Sequence, residues 1–254
     1  MVRLDNLTVT YQEHPALHHV SGHFSAGSMT AVVGPNGSGK STLLKGIAGL
    51  LPLHGGKIHG ALTVSIAPKH IAYLPQFNAI DRSFPINVRD CVLLGCWGSA
   101  GAWGSITTAM QARADAALRA VGLEGFERRS LDSLSGGQLQ RAMFARMLVQ
   151  DAQLLLLDEP FNAIDTKTCT DLLLLLRLWQ RQQRTVIAVL HDQAQARQYF
   201  PETLLLAREV VSWGATTAVL TEPNLHRAHT MTEAWDELAD SCELDAQALQ
   251  QVMS

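Results

Sequence analysis

Apolar positions change their spacing several times along the chain, and each change marks an element. Leu4, Leu7, Val9 and Tyr11 stand among polar residues, the near-alternation of half-exposed antiparallel strands. Met29 to Val33 reads as a buried strand, and Lys40 to Leu50, free of proline, as the helix that follows it. Leu53 to Gly60, rich in Gly and His, predicts a turn, with Thr63 to Ile66 and His70 to Leu74 as two more strands. From Asp81 the character changes, through a loop holding Pro85 and a Gly/Trp-rich stretch from Gly95 to Gly104. Met110, Ala114, Ala117, Leu118 and Val121 then recur at helical spacing, and Gly122 is placed to close that helix. This middle region is expected to be helical and separable.

Beyond it the pattern alternates. A short apolar run from Gln153 to Leu157 ends in Asp158-Glu159-Pro160; a helix (Asp165 to Gln183), a strand (Thr185 to Leu190), a helix (Asp192 to Tyr199) and a strand (Thr203 to Ala207) follow. Such alternation predicts an α/β fold with a parallel sheet flanked by helices, whose ligands sit at the strands' carboxyl ends. The segment from Glu222 onward is acidic and partly helical in pattern.

Those carboxyl ends carry the chemistry. Gly34-Pro35-Asn36-Gly37-Ser38-Gly39-Lys40-Ser41-Thr42 lies between the Met29 strand and the Lys40 helix, the context a phosphate-binding P-loop requires. Its glycines let backbone N–H groups converge on phosphate oxygens, and the helix start adds partial positive charge. Lys40 would reach the β and γ phosphates and Ser41 would ligate Mg²⁺. At the end of the Gln153 strand, Asp158 is placed to serve the Mg²⁺ shell and Glu159 to face an attacking water, since adjacent side chains on a strand diverge. Leu134-Ser135-Gly136-Gly137-Gln138 opens a helix and is a second anion-binding candidate.

Composition narrows the setting. The chain has 254 residues, is 47% hydrophobic and has a formal net charge of −3. That length supports one large domain or a core with a subdomain. The charge provides no basic field of the kind nucleic-acid binding needs, so no nucleic-acid partner is expected. Cys91, Cys96, Cys169 and Cys242 form no CxxC pair, which fits a reduced, cytosolic chain. The opening MVRLDNLTVTY is not patterned as a signal peptide, and no run of about 18 apolar residues predicts a membrane span. His14, His18, His19 and His23 cluster in sequence, without an acidic or Cys companion at ligand spacing, and read as surface histidines flanking a turn.

The ordered set GPNGSGKST, YLPQ (Tyr73 to Gln76), LSGGQ, LLLLDEP (Leu154 to Pro160) and His191 resembles the ATPase subunits of ATP-binding cassette (ABC) transporters, over the chain to about residue 222. The resemblance implies a P-loop NTPase core over residues 1–222, with an N-terminal antiparallel β subdomain and an inserted helical subdomain at 81–150 carrying LSGGQ, followed by an acidic tail at 223–254. It implies ATP and Mg²⁺ as ligands, and a homodimer packed head to tail. In that pair the Ser135, Gly136, Gly137 and Gln138 segment of one chain caps the ATP held by the other chain's Gly34, Asn36, Gly37, Ser38, Gly39, Lys40, Ser41 and Thr42. Glu159 would be the base, and His191 would hold the γ phosphate. Gln76 would sense Mg²⁺ and water, Tyr11 would stack on adenine, and Asp165 would meet the facing subunit, Ile164 standing where many members carry Leu. Partners implied are a membrane permease and, indirectly, an extracytoplasmic solute-binding protein, with the chain peripheral on the cytoplasmic face.

A narrower likeness lies in QFNAIDRSFPINVRDCVLLG, Gln76 to Gly95, and in Asp158 to Asp165, which resemble ATPases of zinc and manganese uptake. Importers of siderophores, cobalamin or other solutes share every ATP motif, and only the Gln76 to Gly95 likeness separates them. A soluble ABC ATPase acting on ribosomes or DNA is disfavoured by a single cassette with net charge −3.

Overall fold

A computed structural model describes residues 1–11, 14–51, 56–100, 104–162 and 164–237. Three strands, β1 (Val2–Tyr11), β2 (His14–Phe24) and β4 (Gly56–Val64), form an antiparallel sheet in the order β2-β1-β4. The larger sheet orders β5 (Ile71–Leu74), β6 (Leu154–Asp158), β7 (Thr185–Val189), β3 (Met29–Val33), β8 (Glu202–Ala207) and β9 (Glu209–Ala215). All its pairings are parallel except β8 with β9. Every residue of β3, β6 and β7 is buried, as expected of parallel strands covered on both faces.

Strand alternation divides the buried side chains between two cores. Leu154 and Leu156, with Val32, Ile187, Val189, Leu204 and Leu206, meet α1 (Lys40–Ile47) and the antiparallel sheet. Leu155 and Leu157 face the other way. There they join helices α2 (Val88–Leu93), α4 (Thr108–Ala120), α5 (Gly136–Gln150), α6 (Thr166–Arg181) and α9 (Glu222–Glu237), α9 lying against β8 and β9. The short helices are α3 (Trp97–Ala100), α7 (Gln193–Tyr199) and α8 (Thr216–Val219).

The middle region is helical, as its periodicity predicts, but its buried side chains are continuous with those of the sheet. Phe144 of α5 stacks on Trp179 of α6 with centroids 6.2 Å apart and rings 7° from parallel. The helix expected near Met110 ends with Val121 at its cap and Gly122 at φ +69°, a left-handed position that favours glycine.

The structure departs from the sequence expectations in further places. Gly56 to Gly60, expected as a turn, belongs to β4, whereas residues 52–55 lie outside the described residues. The four N-terminal histidines do not flank a turn but stand on β2. Bulges in the β1–β2 ladder, with positive φ at Asn6 and His19, broke the alternation that would have revealed that strand. Helix α2 also went unpredicted, although Asn87 caps it by accepting from the Asp90 amide at 2.8 Å.

Trp179 is 1% exposed and joins α6 to the face shared with α5. Trp179→Ala is expected to lower unfolding free energy by about 3–5 kcal/mol, the range for deleting a large buried aromatic. Denaturant titration checks it, and a loss below about 1 kcal/mol would show that this stack does not hold the two helices together.

Candidate active site

The loop after β3 is pressed against two neighbouring strands. A Cβ on Gly34 would lie 1.9 Å from the Leu206 carbonyl oxygen, and one on Gly39 would lie 2.1 Å from that of Ala16. Gly39 and Gly37 also adopt φ of +89° and +75°. Glycine is therefore required at Gly34 by space and at Gly39 by both space and backbone. The Arg208 amide donates to the Ser38 carbonyl at 3.0 Å, pinning the loop from β8. The loop frames a cavity of about 290 Å³ lined by Ala16, residues Asn36 to Thr42, Gln76 and Glu159.

Lys40 is buried and donates through Nζ to the carbonyls of Gly34 (2.9 Å) and Pro35 (2.6 Å) and to Ser38 Oγ (3.3 Å). Burial draws its pKa below the usual lysine range, with the Glu159 and Asp158 carboxylates pulling it back up.

Two carboxylates stand at the end of β6. Ser41 Oγ donates to Asp158 Oδ1 at 2.9 Å, and the Tyr73 hydroxyl lies 3.4 Å from Oδ2. Burial raises the Asp158 pKa, opposed by the Ser41 hydrogen bond. Burial beside Asp158 also pushes Tyr73 up, so the phenol stays a donor.

Glu159 does not continue the strand. Its φ is +53°, a left-handed conformation costing a non-glycine residue about 1–3 kcal/mol. The divergence of the two carboxylates therefore comes from a turn as well as from strand alternation. Gln76 Nε2 donates to Glu159 Oε1 at 2.7 Å, His191 Nε2 stands 2.6 Å from the same oxygen, and Asn162 Nδ2 donates to Oε2 at 2.5 Å. Gln76 Nε2 also lies 3.3 Å from Ser41 Oγ, so one amide links the environments of both carboxylates.

Glu159, His191, Gln76, Asp158 and the P-loop residues are thus brought together, whereas other candidates lie apart. Tyr11, at the end of β1, does not line the cavity. Ser135 to Gln138 start α5, where Ser135 Oγ accepts from the Gln138 amide at 3.3 Å and Gln138 Oε1 accepts from the Ser135 amide at 2.9 Å, a reciprocal capping box. Asp165 caps α6, accepting from the Thr168 amide (2.9 Å) and hydroxyl (2.7 Å), which hold its pKa low.

Tyr73 and Asn162 were not singled out from sequence. The first was visible only as part of YLPQ, and the second only as part of the Asp158 to Asp165 likeness, with no role attached to it. Ala16 gave no signal, because strand β2 was not foreseen. His18 has an acidic companion that spacing concealed: its Nδ1 stands 2.7 Å from Glu209 Oε1, on β9. Among the described residues no group of three or more His, Cys, Asp or Glu side chains is arranged to hold a metal ion, and no helix is long and apolar enough to cross a membrane.

The family model described as ABC transporter matches residues 17–162. The zinc transport system ATP-binding protein TroB of Treponema pallidum is 40% identical over 229 residues, covering 90% of this chain and 86% of that protein. The manganese transport system ATP-binding protein MntB of Bacillus subtilis is 37% identical over 235 residues, covering 90% and 92%. Among solved structures, a dimeric, post-hydrolysis ATP-binding cassette bound to ADP and Pi superposes with a TM-score of 0.72 at 28% identity, covering 85% of this chain and 99% of that one. With a glycine-walled phosphate cradle and an acid pair at parallel strand ends, the chain belongs to the ABC transporter family as an ATP-binding cassette.

Proposed function

We propose that this ATPase energises uptake of a divalent metal ion, zinc or manganese, through a membrane permease, working as a homodimer on the cytoplasmic face and supplied by an extracytoplasmic solute-binding protein. The observation that carries the catalytic part is the Glu159 carboxylate, held by Gln76, His191 and Asn162 at the cavity that Lys40 and Ser41 line. The zinc and manganese assignment rests on the relatives' names and on the Gln76 to Gly95 likeness.

The chemistry follows from what each group can do. Backbone N–H groups of the glycine loop and Lys40 Nζ bind the β and γ phosphates of ATP. Ser41 Oγ and Asp158 offer hard oxygen donors that would hold Mg²⁺, whose charge would offset the negative charge of the phosphates. Glu159 accepts a proton from the water that attacks the γ phosphorus, and the bond to the ADP oxygen breaks. His191 steadies the γ phosphate, and Tyr11 stacks on adenine. Ser135, Gly136, Gly137 and Gln138 cap the partner's nucleotide, and Asp165 meets the facing subunit. ATP favours the closed pair because it contacts both chains only there.

A second surface supports the permease contact. Tyr73, Pro75 and Ile80 face Met143, Arg146 and Gln150 of α5 across a cleft of about 210 Å³. A Cβ on Gly95 would stand 2.4 Å from the Arg146 carbonyl oxygen, so the chain between α2 and α3 is laid directly on α5. It leaves Leu94 42% and Trp97 63% exposed, apolar side chains suited to burial by a partner.

Glu159→Gln is expected to cut phosphate release by about 10²-fold or more while ATP still binds and the pair stays closed; wild-type turnover would contradict the base assignment. Lys40→Ala is expected to weaken ATP binding by about 10- to 100-fold, the loss of charge-assisted hydrogen bonds, and unchanged affinity in an equilibrium titration would sink the cradle reading. Isolating the chain from its native membrane should co-purify its permease, and deletion should impair growth under zinc or manganese starvation. Rescue by one added metal identifies the cargo, and rescue by neither counts against metal uptake.

A further inference from the structure

The helix that LSGGQ opens and the turn that carries the acid pair meet inside a single chain. Gln140, on α5, is 1% exposed, and its Nε2 donates to the Pro160 carbonyl at 2.7 Å. A carbonyl only accepts, so the amide nitrogen must face Pro160. That orientation leaves Oε1 buried with no hydrogen-bond partner among the described residues. The amide satisfies one buried acceptor, the Pro160 carbonyl, and leaves another, its own Oε1, unsatisfied, so its net gain over a leucine of similar size is small. Packing therefore does not account for an amide at this position; the bond to Pro160 does.

The place of that bond matters. Pro160 follows Glu159 directly, and Glu159 holds the left-handed φ of +53°. Such a conformation persists only where its surroundings fix it from several sides. Gln76, His191 and Asn162 hold the carboxylate end of Glu159, whereas Gln140 holds the backbone just after it. One turn earlier on α5, a Cβ on Gly137 would lie 3.7 Å from Ile164 Cγ2, so the same face of the helix also lies on the far end of this segment.

We propose that Gln140 is a positioning residue for hydrolysis: by clamping the Pro160 carbonyl to α5 it sets the turn that aims Glu159, and it ties the placement of LSGGQ to that of the base in the same chain. The inference rests on Glu159 being the base. A shift of α5 as Ser135 to Gln138 engage the partner's nucleotide is then transmitted to this chain's own carboxylate, which couples the two sites of a pair without direct contact between them.

The test is Gln140→Leu in the full chain. The expected result is a kcat about tenfold lower, since small misplacements of a reacting group are costly, with the KM for ATP unchanged and the thermal midpoint little changed, the relief of Oε1 offsetting the loss of the donor to Pro160. An unchanged kcat in the folded variant overturns the proposal, as does a lowered midpoint with intact kcat, which would make Gln140 a packing residue only. Should the leucine variant not fold, Gln140→Met, unbranched and of similar length, carries the same readouts. Combining Gln140→Leu with Glu159→Gln separates the inference from the reading beneath it. Loss no greater than that of Glu159→Gln alone supports a route through Glu159, and additive losses overturn that route. Full turnover in Glu159→Gln by itself overturns the base assignment and the route together.

Discussion

Three parallel strands in fixed register hold the site together. Val32 pairs with Val189, Leu157 with Ala188 and Asp158 with Val189, so β3, β6 and β7 end at nearly one level. All three are buried throughout, and each buried N–H and C=O needs its ladder partner. A slip by one residue would turn the apolar set to the wrong face. The residues just past those ends are Gly34, Glu159 and Leu190-His191. The cradle, the carboxylate and the imidazole are thus aligned by hydrophobic burial and backbone pairing well away from the chemistry.

Much of this was legible in the chain because each piece is local. Met29 to Val33 and Thr185 to Val189 are mostly apolar runs, Gly39 starts the Lys40 helix, and Asp165 and Asp192 cap the helices that follow them. The missing parts depend on contacts distant in sequence. β2 is interrupted by bulges, and nothing in its pattern announces that Ala16 would wall the cavity. Gln140 and Pro160 are twenty residues apart, and Tyr73 and Asp158 eighty-five. A glutamine in a helix or a tyrosine on a strand gives no sign of such a partner. The left-handed turn at Glu159 was equally hidden, because glutamate is not a residue that signals positive φ.

The helical region is tied to the sheet more closely than its change of composition suggests. α5 begins with LSGGQ, stacks Phe144 on Trp179, receives Gly95 against the Arg146 backbone and bonds Pro160 through Gln140. These contacts lie on different turns of one helix, so its rotation or translation disturbs several at once. A rigid helix with its start at one site and its flank on another is a lever by construction, since buried packing resists gradual deformation. The same helix also lines the cleft with Tyr73 and Pro75, the strand end that leads to Gln76.

Electrostatics then explains why this cradle selects a polyphosphate rather than any anion. Lys40 is desolvated, and its partners in the loop are two carbonyl dipoles and a hydroxyl. Phosphate oxygens carry full negative charge, so exchanging those dipoles for them strengthens every bond the ammonium makes, most of all where water is excluded. A single small anion would satisfy the loop but would leave Asp158 and Glu159 facing uncompensated negative charge. On the proposed function, a triphosphate carrying Mg²⁺ would bring its own cation to the oxygens of Ser41 and Asp158. The negative charge of the acid pair therefore disfavours anions that arrive without a metal.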